Sequence, residues 1–254
     1  MDIDIQNHAR ANILGSGLST RVGRFVCRFD PDSDNLFLNY AIPDEDTDPT
    51  DAELDELAEA FAAKGRVPRF EFLPTRSPKL ADALRAKGYR EQHRGRLMAC
   101  APGEVADLPL PAGLSILDAT DEESFVGAAA VQHPAFDDEI PPRDVVIRSH
   151  TRSLERGGLL AVAVLDSGEI VGAGQTGPAI DAISEIGGIA VAPAYRRQGI
   201  AAALTAHLTR ALHANGVRTA WLDPADDGAG RAYEKAGYRV VGEILHMVDD
   251  GAAS

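Results

Sequence analysis

The chain has few cysteines, no long apolar run and little positive charge. Its 254 residues include two cysteines, Cys27 and Cys100, too few for a disulfide scaffold or a CxxC metal motif. The seven histidines show no metal-ligand spacing, so we expect no bound metal. No stretch of 18 apolar residues and no basic, apolar leader is present. The sequence therefore predicts a cytoplasmic protein that does not associate with membranes.

The balance of charge is strongly acidic. Lysine and arginine total 25 against 39 aspartates and glutamates, which gives a formal net charge of −14. Nucleic acids and anionic membranes require a basic surface, so we expect neither as a partner. Solubility accounts for most of the acidic residues, although part of them would attract a cationic amine. Against this background the adjacent Arg196 and Arg197 predict a local site for an anion.

These two arginines lie in a turn that joins an apolar strand to a helix, between Val191 and Ala202. A helix N-terminus leaves its first N–H groups without intrahelical partners and carries partial positive charge. Gly199 would let phosphate oxygens approach those groups, and the arginines add fixed charge. The pattern favours a pyrophosphate site, although an ordinary helix start with two solvated arginines stays open on this motif alone.

Two motifs in the second half of the chain resemble one enzyme family. Arg196-x-x-Gly199-x-Ala201 resembles the Gln/Arg-x-x-Gly-x-Gly/Ala signature of the GNAT superfamily of acyl-CoA-dependent N-acetyltransferases. Farther along, Tyr233-Glu-Lys-Ala-Gly237-Tyr238 resembles the Tyr-x-x-x-Gly-Phe/Tyr motif of the same superfamily. The resemblance covers residues 113–248. It implies an α/β protein with the GNAT fold, a central twisted mixed β-sheet flanked by helices, and acetyl-CoA as the co-substrate.

The resemblance also assigns roles to individual residues. By this resemblance Tyr233 would protonate the departing thiolate. Glu185 is a candidate base for another reason: it lies on the strand that enters the site, and it would act directly or through water, although strand alternation leaves its face open. The open alternatives are a structural ion pair for Glu185 and core packing for Tyr233. Asp226 stands where many relatives carry Asn, so it can cap a helix but cannot donate an amide hydrogen bond. The residues expected to bind the cofactor are Ile189, Ala190, Val191, Arg196, Arg197, Gln198, Gly199, Ile200, Ala201 and Ala202.

Hydrophobic periodicity predicts the elements that carry these motifs. Strands are expected at 114–117, 159–165, 169–177, 183–191, 218–222 and 239–248, and helices at 121–132, 143–156, from 200 to about 214 and up to about 235. The glycines at 187 and 188 indicate a bulge or a close backbone approach within a strand.

An internal repeat links the two halves of the chain at a constant offset of 149. Residues 36–43, 67–74 and 84–90 fall on 185–192, 216–223 and 233–239, which predicts a second strand, helix, strand, helix, strand core. Thr50-Asp-Ala-Glu53 is a capping box that predicts the start of the first helix of this core. The run 44–48, Asp-Glu-Asp-Thr-Asp, replaces the basic turn, and Leu84 and Leu36 replace Tyr233 and Glu185. We expect a degenerate GNAT-like half at 1–101, a linker at 102–112 and the active domain at 113–254. A ligand of its own stays open for the first half.

The predicted activity is transfer of an acetyl group from acetyl-CoA to a primary amine, most simply that of a small molecule. Acetylation of a protein or peptide amine, and non-catalytic acyl-CoA binding or sensing, stay open because acceptor specificity comes from loops. One such loop carries Asp137, Asp138 and Glu139 beside Phe136, and it would hold a cationic acceptor or simply be solvated. Association of two copies of the chain as a homodimer also stays open.

Overall fold

The computed structural model describes residues 2–249, and these form two compact units. The first unit comprises residues 2–97 together with 241–249, and the second comprises residues 98–240. The chain therefore leaves the first unit once and returns to it with its last strand. No helix in the described range is both long and apolar enough to cross a bilayer.

The first unit is a mixed sheet with helices. The elements are α1 (Asp2–Leu14), β1 (Ser19–Val22), β2 (Phe25–Arg28), a 3₁₀ turn (Leu36–Leu38), β3 (Tyr40–Pro43), α2 (Asp51–Ala62), β4 (Arg69–Phe72), α3 (Leu80–Ala86), most of β5 (Tyr89–Cys100) and most of β11 (Arg239–Asp249). The strand order is β1-β2-β3-β4-β11-β5. Strands β3 and β4 are parallel, whereas the pairs β1–β2, β2–β3 and β4–β11 are antiparallel. The apolar core packs α2 and α3 against one face of these strands.

The second unit is also a mixed sheet, with helices on both faces. Its order is β6-β7-β8-β9-β10 followed by residues 98–100 of β5, and only β9 and β10 run parallel. The elements are β6 (Leu114–Asp118), α4 (Glu122–Ala135), α5 (Arg143–Glu155), β7 (Leu160–Leu165), β8 (Ile170–Thr176), β9 (Ile183–Val191), a 3₁₀ turn (Pro193–Tyr195), α6 (Ile200–Ala214), β10 (Thr219–Leu222) and α7 (Asp227–Ala236).

The apolar side chains of the second unit separate into two clusters, one for each face of its sheet. Ile186 and Val191 of β9 pack with α6 and α7, whereas Ala173 of β8 packs with α4 and α5. Helix α6 has its apolar positions at helical spacing and is largely buried. This arrangement fixes the start of α6 close to the end of β9, since only eight residues separate Val191 from Ile200.

The predicted elements of the second unit are confirmed, with shifts of one to three residues at their ends. In the first unit the repeat predicted a strand over 36–43, and this was wrong in its first half, where residues 36–38 form a 3₁₀ turn. The Asn35 side chain accepts a hydrogen bond from the Phe37 N–H, and Asn39 donates to two carbonyls of the preceding loop. These local bonds compete with the sheet and shorten β3 to four residues.

Candidate active site

The N-terminus of α6 is open. Gly199 is its N-cap residue, with φ of +87°, and no side chain caps the helix. A Cβ atom at Gly199 would meet no atom within 4 Å other than those of the adjoining residues, so no distant side chain packs against the N-cap position. The first N–H groups, from Ile200 onward, have neither a capping side chain nor intrahelical carbonyls to bind. A helix end of this kind fits an anion.

The two arginines of the preceding turn have different surroundings. The Arg196 Nε atom donates to the Val191 carbonyl at 2.9 Å, which ties the turn to the end of β9. Arg197 is exposed, has a φ of +65° and forms no ion pair within residues 2–249. Arg196 therefore shapes the turn, and Arg197 supplies positive charge that pairs with no carboxylate of residues 2–249.

Strand β9 runs beyond its parallel neighbour. Ile183, Ser184 and Glu185 pair with residues of β10, and β9 then continues to Val191, six residues past the last pair. On the β10 side, the backbone of this extension has no strand partner in the described range. The predicted cofactor residues Ile189, Ala190 and Val191 lie on it. Their free edge leads toward the N-terminus of α6, so the structure brings the two groups of predicted cofactor residues together.

A bulge interrupts β9 within this extension, as the two glycines predicted. Ala173 pairs with Ala190 and Gln175 with Gly187, so two steps along β8 correspond to three along β9. Gly188 has φ of +61°, and a Cβ there would lie 2.6 Å from the Gln132 Nε2 atom. A side chain here would be strained by the positive φ and would displace the Gln132 amide, so the position favours glycine.

Gln132 of α4 holds the bulge. It is 8% exposed, and its Nε2 donates to the Gly188 carbonyl at 2.8 Å. Sequence reasoning missed this residue, because a sequence does not show which distant carbonyl a buried glutamine contacts. The one available signal was that Gln132 is a polar residue on the apolar face of α4.

Tyr233 lies on α7 and is 8% exposed, within the apolar cluster that also contains Ile186. Burial, and to a smaller degree the carboxylates of Asp223 and Asp226, raises the pKa of Tyr233 to about 12. Its hydroxyl forms no hydrogen bond within residues 2–249, whereas the neighbouring Tyr238 hydroxyl is bonded to Thr209 at 2.8 Å. Tyr233 thus keeps its proton at neutral pH and has that proton available.

Glu185 is half-buried on β9, opposite Trp221 of β10. Ile186 packs in the cluster of α6 and α7, so strand alternation directs the Glu185 side chain to the opposite face of the sheet. Tyr233 shares the cluster of Ile186 and not the face of Glu185. The side chains of Tyr233 and Glu185, the two predicted catalytic residues, therefore do not lie on one face of the sheet.

The acidic loop follows α4 directly. The Asp138 carboxylate contacts His133, with 3.0 Å between Oδ2 and Nδ1, so it is directed toward α4. Asp137 and Glu139 are exposed, as is 43% of Phe136. The loop begins four residues after Gln132, the residue that contacts the bulge of β9. It therefore lies at the end of α4 nearest the candidate site.

The first unit closes the corresponding helix end with its own side chains. Thr50, which is 149 residues before Gly199, caps α2 by accepting from the Glu53 N–H, and the Glu53 carboxylate accepts from the Thr50 N–H at 2.8 Å. The predicted capping box is confirmed. A carboxylate thus occupies the place that an anionic ligand would need.

The ends of the parallel strands in the first unit are covered by α1. The Gln6 Oε1 atom accepts from the Leu73 N–H at 2.9 Å, just after β4, and Arg10 donates to the Pro43 carbonyl and to Asp44 at the end of β3. Ion pairs with Arg21, Arg76 and Lys79 engage the acidic run 44–48. Sequence reasoning missed α1 and its role.

No cluster of three or more potential metal-ligating side chains occurs in the part of the chain that the structure describes. The donor set of the second unit consists of backbone N–H groups, one free arginine and a protonated phenol. These groups suit a diphosphate and a thiolate leaving group, and they match the chemistry of a CoA thioester.

Comparison with known proteins identifies the family and the fold that this chain resembles. Residues 115–238 match the acetyltransferase (GNAT) family model. A GCN5-related N-acetyltransferase from Kribbella flavida is 26% identical, with a TM-score of 0.81 over 99% of this chain and 96% of that one. A tandem GNAT protein from the clavulanic acid biosynthesis pathway is 16% identical, with a TM-score of 0.62 over 88% of this chain and 77% of that one. No significant match was found among curated proteins.

The chain therefore contains a GNAT-family acetyltransferase domain at residues 115–238, within a fold of the tandem GNAT type. The predicted family and fold class are confirmed.

Proposed function

We propose that the second unit transfers the acetyl group of acetyl-CoA to a primary amine of a small molecule. The observation that carries this proposal is the uncapped N-terminus of α6, with no distant side chain packed against Gly199 and the free charge of Arg197 beside it. Backbone N–H groups and a neighbouring arginine bind a diphosphate through charge-assisted hydrogen bonds. In the first unit, where no such opening exists, a carboxylate fills the equivalent place.

The chemistry supplied by the bound thioester is an activated acetyl carbonyl. The edge of Ile189, Ala190 and Val191 that β10 does not cover would hold the acyl arm along β9, and a backbone N–H at the bulge would donate to the carbonyl oxygen. The amine nitrogen forms the new C–N bond as the C–S bond breaks. Tyr233 gives its proton to the departing sulfur, and burial keeps that proton in place beforehand.

The acceptor is proposed to carry positive charge. The exposed carboxylates of Asp137 and Glu139 and the exposed ring of Phe136 lie on the loop next to the end of α4 that contacts the bulge. Carboxylates beside an aromatic ring attract a cationic amine. We expect the acceptor KM to rise with ionic strength and to rise further in an Asp137→Asn, Glu139→Gln variant, while acetyl-CoA affinity is unchanged.

The test is acetyl-CoA-dependent thiol release with polyamines, aminoglycosides, amino acids and peptide N-termini as acceptors. Release that depends on a small cationic amine supports the proposal. Release with peptides alone would reassign the acceptor to a protein amine. Tight acetyl-CoA binding with no acceptor-dependent release would make the protein an acyl-CoA sensor.

A further inference from the structure

One side chain reaches the bulge of β9 from a helix packed on the sheet. Gln132 of α4 donates from Nε2 to the Gly188 carbonyl at 2.8 Å. Of the two polar atoms of a glutamine amide only Nε2 can donate, so this contact fixes the orientation of the amide. The bond therefore ties α4 to one backbone carbonyl of the strand that carries the predicted cofactor residues.

The Gly188 carbonyl belongs to the same peptide group as the Ile189 N–H. No cis peptide bond occurs among the described residues, and in a trans peptide group the C=O and N–H bonds point in opposite directions. Gln132 holds the C=O end of this group. The Ile189 N–H therefore points away from the Gln132 amide.

The ladder between β8 and β9 gives the same direction for the Ile189 N–H. Ala192 donates to the Val171 carbonyl at 2.8 Å, and the register is regular from there back to Ala190. Successive residues of an antiparallel strand direct their backbone groups to alternate sides, so Ala190 and Ala192 face β8 and Ile189 faces the other side. Strand β10 pairs only with the first three residues of β9, so the Ile189 N–H points to the edge that β10 does not cover.

Two adjacent glycines give this peptide group rotational freedom. Gly187 and Gly188 lack a Cβ atom, and Gly188 has a φ of +61°, a region that glycine enters without strain. Rotation of the group by half a turn would exchange the N–H for the C=O at the uncovered edge. A carbonyl oxygen only accepts hydrogen bonds, so it could not stabilise the oxygen of an acetyl group. The bond from Gln132 holds the orientation in which the N–H faces the edge.

We propose that Gln132 is a positioning residue for acetyl transfer, which holds the Ile189 N–H toward the acetyl carbonyl oxygen of the bound thioester. This inference rests on the proposed function, and it assigns the backbone donor at the bulge to Ile189. Gln132 itself does not touch the acetyl group.

The donor acts while charge is present on the carbonyl oxygen. Negative charge grows on this oxygen as the amine nitrogen forms the C–N bond, and the C=O bond is restored when the C–S bond breaks. The amine releases one proton to water, and the sulfur takes its proton from Tyr233. A donor that is held in place beforehand stabilises the charged oxygen without reorganisation during the reaction.

The test measures the carbonyl stretching band of bound acetyl-CoA that is isotopically labelled at the acetyl carbonyl. A hydrogen bond to the oxygen weakens the C=O bond and lowers its stretching frequency. Infrared difference spectra of the unaltered protein should show the band below its position in free acetyl-CoA. Gln132→Met keeps an unbranched side chain of similar length and removes the donor, so the band should move back toward the free position.

The same variant separates catalysis from binding. Gln132→Met should lower kcat by about ten- to a hundredfold, because the Ile189 N–H is still present but is no longer held. The acetyl-CoA Kd from calorimetric titration should stay within about twofold, since the N-terminus of α6 is unchanged. Gln132→Glu is a second variant if Gln132→Met does not fold. Its ionised carboxylate has a similar shape and cannot donate, so band and kcat should change in the same direction.

Ser184 provides a matched control on the same strand. Its Oγ donates to the Gly177 carbonyl at 2.9 Å, and the residue is fully buried. Ser184→Ala therefore also removes a hydrogen bond from a buried side chain to a backbone carbonyl, but outside the bulge. It should lower the free energy of unfolding about as much as Gln132→Met does, with the band and kcat unchanged.

Three results would overturn the inference: a band at the free position in the unaltered protein, an unshifted band in the Gln132 variants, or an equal shift in Ser184→Ala. A loss of kcat with an unshifted band would leave Gln132 with a structural role alone. The band is measured without an acceptor, so failure of the proposed function is a separate result, in which the unaltered protein releases no thiol with any amine.

Discussion

The two units begin equivalent helices in opposite ways. Helix α2 starts after Thr50, and the Glu53 carboxylate returns to the N-cap and satisfies it. Helix α6 starts after Gly199, with Ala202 at the position of Glu53, and nothing caps it. The repeat thus preserves the helix but changes the hydrogen-bond partners of its first N–H groups. In the first unit these partners are protein side chains, whereas in the second unit no side chain caps the helix and the N–H groups are open to a ligand.

The ends of the parallel strands differ in the same sense. In the first unit β3 extends two residues past Ala41, its one pair with β4, and Gln6 and Arg10 bond the backbone at both strand ends. In the second unit β9 extends six residues past its last pair with β10. The comparison shows that two units of similar fold can either leave the backbone at their strand ends exposed or bond it to side chains of a neighbouring helix.

The largest effect is expected on acetyl-CoA affinity, from a substitution at the open N-terminus of α6. Gly199→Asp adds a carboxylate where the pyrophosphate should bind, and acetyl-CoA affinity should fall by about a hundredfold or more because like charges repel at short range. Gly199→Ala, which carries the same positive-φ strain, should lose less. The matched control is Thr50→Asp in the first unit, which preserves a cap and should leave affinity unchanged. Calorimetric titration gives all three values, and equal affinity in Gly199→Asp would remove the site from α6.

The second-largest effect is expected on kcat, from a substitution of Tyr233. Leu84 occupies the position of Tyr233 in the repeat of the first unit. Tyr233→Phe keeps the buried ring and removes the proton, so kcat should fall about ten- to a hundredfold with little change in acetyl-CoA KM. Tyr238→Phe is the control, since it deletes a buried hydrogen bond to Thr209 and should cost about 1 kcal/mol of stability while keeping kcat. Steady-state kinetics with both variants measures the difference. A fully active Tyr233→Phe would return that residue to a packing role.

A smaller effect is expected on α1. Gln6→Ala leaves the Leu73 N–H buried without its side-chain partner, which should lower the free energy of unfolding by about 1–3 kcal/mol. Asn7→Ala, one residue along the same helix and exposed, should change it by less than about 0.5 kcal/mol. Urea unfolding compares the two. Neither variant should alter kcat, and a loss of acetyl transfer without a loss of stability in Gln6→Ala would give the first unit an active role.

The smallest effect is on Arg197. Its guanidinium is exposed, so Arg197→Ala should weaken acetyl-CoA binding by about two- to fivefold at low salt and by less at 0.5 M salt, where exposed charges are screened. Lys79→Ala in the first unit removes a cation already paired with Asp48 and should change nothing. Affinities measured at two salt concentrations test this difference, and a salt-independent effect would point to a change in the shape of the turn.

Local chemistry explains how far the sequence predicted this structure. The capping residues Thr50 and Asp226, the bulge at Gly188 and the basic turn were all found, because each depends on neighbours a few residues away. The 3₁₀ turn at 36–38 was missed because Asn35 and Asn39 redirect the backbone.

Long-range partners could not be read in the same way. The contact of Gln132 with Gly188 spans 56 residues, and that of Gln6 with Leu73 spans 67. No local pattern encodes such pairings. The sheet face toward which Glu185 points likewise follows only from the structure, because it depends on Ile186 packing against α6 and α7.

The central claim is that one unit keeps a cofactor cleft and the other has closed it. Calorimetric titration of the full chain with acetyl-CoA tests this most directly. We predict one equivalent bound per chain, with that equivalent lost in Gly199→Asp and retained in Thr50→Asp. Two equivalents per chain, or one that survives in Gly199→Asp and disappears in Thr50→Asp, would contradict the account.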